Sequence, residues 1–238
     1  MEEQKAMQAF VDHMLRHTVN LVRVVPNQWP VGIASGFIIP VEKWYRIISA
    51  GHAIAAKPNW AIETVPVSAT ETLMLTVKNV RALATISPGE PTNALDLAWA
   101  DLFPDELRSQ LAEAPKKPAE ALELPLYQGP LDTVPDSDTP YGFAAWNYVE
   151  PHEVIGKLVR EPRYELNLRY VGIHPSNGLY QFEPARPFRG HEYYKGASGA
   201  PIADPTGLIV SMLVGGHKEE NCLWGIPLAA HAMKLMAV

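Results

Sequence analysis

Cysteine is almost absent from this chain. Cys222 is the single thiol among 238 residues, so no internal disulfide can form, and the expected setting is reducing and cytoplasmic. Long apolar runs are missing as well; none approaches the roughly 20 residues that a membrane-spanning helix needs. The opening Met1-Glu2-Glu3-Gln4-Lys5 is acidic and polar, the reverse of a secretory leader. Positive charge is scarce: 20 Lys and Arg face 26 Asp and Glu, and the adjacent pair Lys116–Lys117 is the nearest thing to a basic cluster. Nucleic acid and anionic membrane surfaces both require a basic face, so neither is an expected partner. Metal-ligand spacing is also wanting. His13 and His17 lie four apart without the neighbouring glutamate of a metalloprotease motif, and no cofactor is expected.

What remains is an ordinary globular composition, 47% hydrophobic and 19% charged. Residues 3–18 place Met7, Phe10, Val11, Met14 and Leu15 at helical spacing, which predicts an amphipathic helix packed on the rest of the protein. From Thr18 onward the texture becomes short β-rich runs, at 19–25, 32–39, 45–49, 72–77, 80–85 and 95–100. Prolines and the acidic Asp136-Ser137-Asp138 punctuate 105–140, where 105–114 can form a helical turn or two. A second β-rich block covers 142–148, 152–159, 165–171, 179–182, 200–203, 208–214 and 222–226, before a short terminal helix at 228–236. The division this implies is an N-terminal helix (1–18), a first β lobe (19–104), a Pro-rich linker (105–140) and a second β lobe with the C-terminal helix (141–238).

Three segments carry chemistry. Gly196-Ala197-Ser198-Gly199-Ala200-Pro201 flanks a serine with glycines, which allow a tight turn, an outward hydroxyl and converging backbone N–H groups. A serine nucleophile needs a base. Of eight histidines, His52 follows directly on the apolar run Ile47-Ile48-Ser49-Ala50-Gly51, a rigid placement that the others lack. The base needs an acid to fix its tautomer, and Asp96 sits in the apolar stretch Leu95-Asp96-Leu97-Ala98-Trp99, where a carboxylate is costly without a specific partner. Asp101 is its nearby competitor.

These segments together resemble the trypsin-like, chymotrypsin-fold serine peptidases. Ser35-Gly36-Phe37-Ile38-Ile39 is similar to the family's strand before the histidine, and Ser49-Ala50-Gly51-His52 to its Thr-Ala-Ala/Gly-His motif. Asp96-Leu97-Ala98 is similar to Asp-Ile-Ala, and the Ser198 segment to Gly-Asp-Ser-Gly-Gly-Pro, all in the family's order. The resemblance, over about residues 19 to 230, implies an all-β fold of two six-stranded antiparallel barrels with His52, Asp96 and Ser198 as a triad in the cleft between them. It implies backbone N–H groups of Gly196 and Ser198 as the oxyanion hole, and Val214-Gly215-Gly216 as the segment that pairs with a protein or peptide substrate. On the same basis Leu213 and Glu192 belong to the substrate pocket, Glu192 at its base with a basic P1 preference, while the glycines leave room for the P1 side chain. Gly225-Ile226-Pro227 before a helix looks like the bacterial HtrA and glutamyl-endopeptidase branch, here without the PDZ domain of HtrA.

The departures are informative. Ala197 replaces the aspartate that salt-bridges a new N-terminus in digestive members, which leaves a constitutively formed site or one controlled by a regulatory protein partner. Leu213 stands where glutamyl endopeptidases carry histidine. Two other functions stay open: a catalytically silent peptidase-fold binding or sensor module, and a serine esterase. An α/β-hydrolase esterase is disfavoured because Ala200 spoils Gly-x-Ser-x-Gly and the histidine precedes the serine.

Overall fold

The computed structural model describes residues 2–25, 31–55, 57–68, 71–83, 95–114, 124–149 and 159–237. Helix α1 (Glu2–His17) opens the chain and buries Val11 and Met14. The strands of the first half are β1 (Val19–Arg23), β2 (Gly32–Val41), β3 (Trp44–Ala50), β4 (Trp60–Ser68), β5 (Glu71–Thr76), β6 (Arg81–Ala82) and β7 (Leu97–Leu102), with the one-turn helix α2 (Gly51–Ile54) after β3. They form one curled antiparallel sheet in the order β5-β4-β1-β2-β3-β7-β6. Helix α3 (Pro104–Glu113) follows, started by a proline in its first turn and by Asp105 and Glu106 at its positive end.

The second half contributes β8 (Pro140–Val149), β9 (Val159–Ile173), β10 (Tyr180–Glu183), β11 (Pro201–Ala203), β12 (Ile209–His217) and β13 (Cys222–Pro227), which close into a barrel in the order β10-β13-β12-β11-β8-β9. A 3₁₀ turn (Ala229–His231) and α4 (Ala232–Met236) end the chain. Only this second lobe is a closed six-stranded barrel. The first is a seven-stranded half-barrel among the described residues, with β5 and β6 as its edges.

Burial on both faces explains the near-continuous apolar runs of β2 and β3. On β2, Ala34 and Ile38 face the core of the first sheet with Leu21 and Ile47, whereas Phe37, Ile39 and Val41 face the second lobe. There they join Ile48, Leu97 and Trp99 against Ala144, Met212, Ile226 and Leu228. Each fully buried side chain of this size contributes about 1.5–3 kcal/mol. Val11 and Met14 of α1 and Leu235 of α4 belong to the same central cluster, so both terminal helices help to clamp the lobes. The described residues 124–140 of the Pro-rich segment are packed as well: Leu126 bridges to Ile38, Tyr127 N donates to Ile38 O at 2.8 Å, and Leu131 is buried.

Strand β4 has no counterpart in the sequence reading, while the strand expected at 80–85 shrinks to Arg81–Ala82 within the described residues. The run expected at 152–159, with His152, lies almost wholly outside the described residues.

Candidate active site

Strand β3 buries Ile47 to Ala50 and stops at Ala50, where α2 begins. Pairing of Ala50 with Leu97 puts Asp96, the residue before β7, directly beside this corner. Gly51 N donates to Asp96 O at 3.1 Å, and His52 N donates to Asp96 Oδ1 at 2.6 Å. A Cβ on Gly51 would lie 3.0 Å from Asp96 Oδ1, so the glycine lets the carboxylate approach. The other carboxylate oxygen, Oδ2, bonds His52 Nδ1, and His52 Nε2 lies 3.1 Å from Ser198 Oγ. The Asp96 side chain is 14% exposed and that of His52 40%, a shielded acid behind an accessible imidazole. Asp101 is occupied elsewhere, paired with Arg46 Nε at 2.6 Å.

Ser198 is carried by a loop that two glycines make feasible. Gly196 (φ +85°) and Gly199 (φ +93°) both adopt the left-handed backbone. A Cβ on Gly199 would meet Ser35 O at 2.0 Å, and one on Gly196 would meet Trp146 O at 2.9 Å. Ser35 of β2 stitches the loop to the first sheet: its Oγ donates to Gly196 O (2.7 Å) and its N to Ser198 O (2.9 Å). Ser49 Oγ in turn donates to Ser35 O at 2.6 Å, and Ala200 N donates to Ala197 O at 2.9 Å. The carbonyls of the loop are thus engaged. The N–H groups of Gly196 and Ser198 donate to no acceptor among the described residues.

A cleft of ≈ 390 Å³ opens beside His52 and Ser198. Leu213, Val214, Gly215 and Gly216 line it, together with Phe188, Tyr194, Leu223 and Trp224, and with His191 and Lys195. Glu192 does not line it. Its side chain is exposed on the turn in which its carbonyl accepts from Lys195 N at 3.4 Å, and no carboxylate among the described residues lines the cleft. At Gly216 the missing side chain makes room for Phe188, whose ring would lie 2.4 Å from a Cβ there, whereas at Gly215 the nearest atom is Trp224 Cε3 at 4.0 Å.

Phe188 stacks on Tyr194 with centroids 5.0 Å apart, and Tyr194 Oη donates to buried Glu165 at 2.9 Å. Burial, then the charge and hydrogen bond of Glu165, push the Tyr194 phenol far above its ordinary range and keep it a donor. His217 stacks on Trp224 (5.6 Å, 16°), and Cys222 is buried at the start of β13. Sequence reasoning missed Phe188, Tyr194, Lys195, Leu223 and Trp224; the aromatic pair Tyr193-Tyr194 just ahead of Gly196 was the available signal.

Beyond Leu213, β12 pairs only with β13, Gly215 opposite Trp224 and Gly216 opposite Leu223. Its other edge is taken by β11 as far as Met212 and by Ala200 and Gly199 at Leu213, and then has no partner strand among the described residues. An extended chain can add to this edge next to Ser198.

Two packed antiparallel β lobes, with a His–Asp corner from one and a serine loop from the other, define the chymotrypsin fold, and this chain has it. It is similar to neuropsin, a serine protease expressed in the limbic system of mouse brain, at TM-score 0.60 and 10% identity, with 94% of each chain covered. It is similar also to the serine endoprotease from Yersinia pestis, at TM-score 0.52 and 13% identity. That match covers 96% of this chain and 66% of the Yersinia chain. The MamO protease domain from Magnetospirillum magneticum matches at TM-score 0.50 and 13% identity, covering 92% and 95%. No family model matches the sequence, and no curated protein matches it.

Proposed function

We propose that the protein is a serine endopeptidase that cleaves peptide bonds through an acyl-enzyme on Ser198. The observation that carries this reading is the unbroken chain Asp96–His52–Ser198, beside two backbone N–H groups that have no acceptor among the described residues. Ser198 Oγ attacks the substrate carbonyl while His52 Nε2 takes its proton. Asp96, fixed by His52 N and Nδ1, holds the imidazole in the required tautomer and stabilises the imidazolium. The N–H groups of Gly196 and Ser198 receive the oxyanion, each worth about 3–4 kcal/mol of barrier. His52 then protonates the leaving amine, and water, activated by the same imidazole, releases the acyl group.

The free edge at Val214–Gly216 aligns the substrate as an added strand. An uncharged P1 side chain fits the Phe188, Tyr194, Leu213 and Leu223 surfaces better than a basic one, since no carboxylate among the described residues lines the cleft. A fluorophosphonate probe tests the reading. Wild-type protein labels at Ser198, and Ser198→Ala and His52→Ala abolish labelling and reduce peptide turnover by roughly 10⁴-fold or more. Folded wild-type protein that resists the probe contradicts it.

A further inference from the structure

A second cavity, ≈ 460 Å³, shares no lining residue with the cleft at Ser198. It is bounded by β9, by the loop ahead of Tyr193 and by Met7 of α1. Three arginines face it, Arg163 from β9 and Arg186 and Arg189 from the loop, against one carboxylate, Glu165. Glu165 is already committed: it is buried, accepts from Tyr194 Oη at 2.9 Å and lies 3.6 Å from Arg189 Nε. Arg163 Nη2 reaches Glu161 at 2.8 Å, yet its Nε is buried with no acceptor among the described residues. Arg186 is exposed and has no ion pair among the described residues. In a chain of net charge −6 this is a local excess of positive charge.

Two of the three guanidiniums are held in place before any ligand arrives. Arg189 and Arg163 lie over the Tyr193 ring at 4.4 and 5.3 Å from its centroid, which lowers the entropy lost on binding. The remaining walls include the apolar Met7, Pro162 and Leu166. A water-sized ion occupies about 30 Å³ and would leave most of the cavity empty. We propose that this cavity binds an acidic peptide segment, with a carboxylate on the arginines and a neighbouring apolar side chain against Met7 and Leu166.

Occupancy there bears on the cleft. Tyr193 lines this cavity and Tyr194 lines the other, and their rings meet edge-to-face at 5.0 Å. A ligand carboxylate that draws Arg189 away from Glu165 alters the acceptor of Tyr194. The site stands on different residues from the proposed triad, so its binding test is independent of peptidase activity.

The test uses full-length protein carrying Ser198→Ala and a fluorescein-labelled peptide of alternating Glu and Leu. Fluorescence anisotropy is expected to show saturable binding that Arg186→Glu and Arg163→Gln each weaken by about tenfold, the scale of one charge-assisted contact. Arg186 is exposed, so its variant folds even if Arg163→Gln does not. Hydrogen exchange is expected to slow over 162–167 and 185–194 when the peptide binds. Equal binding of a Lys/Leu peptide, or inorganic phosphate competing as well as the peptide, overturns the assignment. So does protection confined to 213–217, which places the peptide in the cleft at Ser198.

Discussion

Two aspartates five residues apart, Asp96 just ahead of β7 and Asp101 within it, do different jobs at the residue scale, and the difference is geometric. Asp96 turns both carboxylate oxygens to His52, one to its backbone N–H and one to its ring, whereas Asp101 pairs with buried Arg46 and reaches Arg81 at 3.8 Å. On the proposed mechanism, Asp96→Asn inverts the imidazole tautomer and lowers kcat by about 10⁴-fold while leaving the melting temperature near wild type. Asp101→Ala strands the Arg46 charge in the interior and costs about 3–5 kcal/mol, with kcat/KM of the folded fraction preserved. Paired thermal melts and turnover assays on the two variants separate the roles. Gly199→Ala is a third case. Its φ of +93° and a Cβ placed 2.0 Å from Ser35 O leave no low-energy option, and because that oxygen is backbone, the Ser198 loop must move. The expected loss of at least about 2 kcal/mol in chemical denaturation comes with loss of probe labelling.

At the scale of elements, the parts of the candidate site that are legible in the sequence are corners: His52 follows directly on the apolar β3, Asp96 directly precedes the apolar β7, and Ser198 sits among glycines and alanines ahead of β11. Backbone geometry at such corners is dictated by glycine and alanine, and these are visible in one dimension. The walls of the cleft are not. Phe188 enters through a glycine vacancy at Gly216, and Glu192 turns outward, and neither follows from the spacing to Ser198. Strand β4 escaped notice because Glu63 and Pro66 interrupt its apolar pattern; the ladder to β5 shifts register around Pro66, and Glu63 is an ion-pair partner of Arg160 at 3.0 Å rather than a solvent-facing residue. Of the 15-residue β9 the sequence pattern marks mainly 165–171, because Arg160, Glu161, Pro162 and Arg163 break the apolar alternation ahead of it; Asn167 (φ 57°) and Gly172 (φ 137°) bend the strand within the barrel. Arg46 is the element-scale counterpart: from β3 it donates to Leu235 O at 2.7 Å and Ala237 O at 3.1 Å, capping the end of α4. Arg46→Met keeps the stem packing and removes these bonds, so hydrogen exchange over 229–237 is expected to accelerate well before global unfolding.

For the whole molecule, the central cluster between the lobes is what brings the His52 corner and the Ser198 loop within bonding distance, and both terminal helices pack on it. Each end carries a histidine whose pKa is lowered. Burial, then the neighbouring charges of His13 and Arg16, lower His17; burial, then Lys234, lower His231. Between these folded values and the ordinary 6.5, the unfolded chain holds more protons than the folded one, so stability rises with pH through that window. The contribution is intact above the ordinary histidine value and is lost as pH falls below it. Thermal melts between about pH 7.5 and 5.5 are therefore expected to show a falling melting temperature, and the double substitution His17→Asn, His231→Asn should flatten that fall. An unchanged pH slope in the double variant would assign the acid sensitivity to other groups and remove the helices from the account.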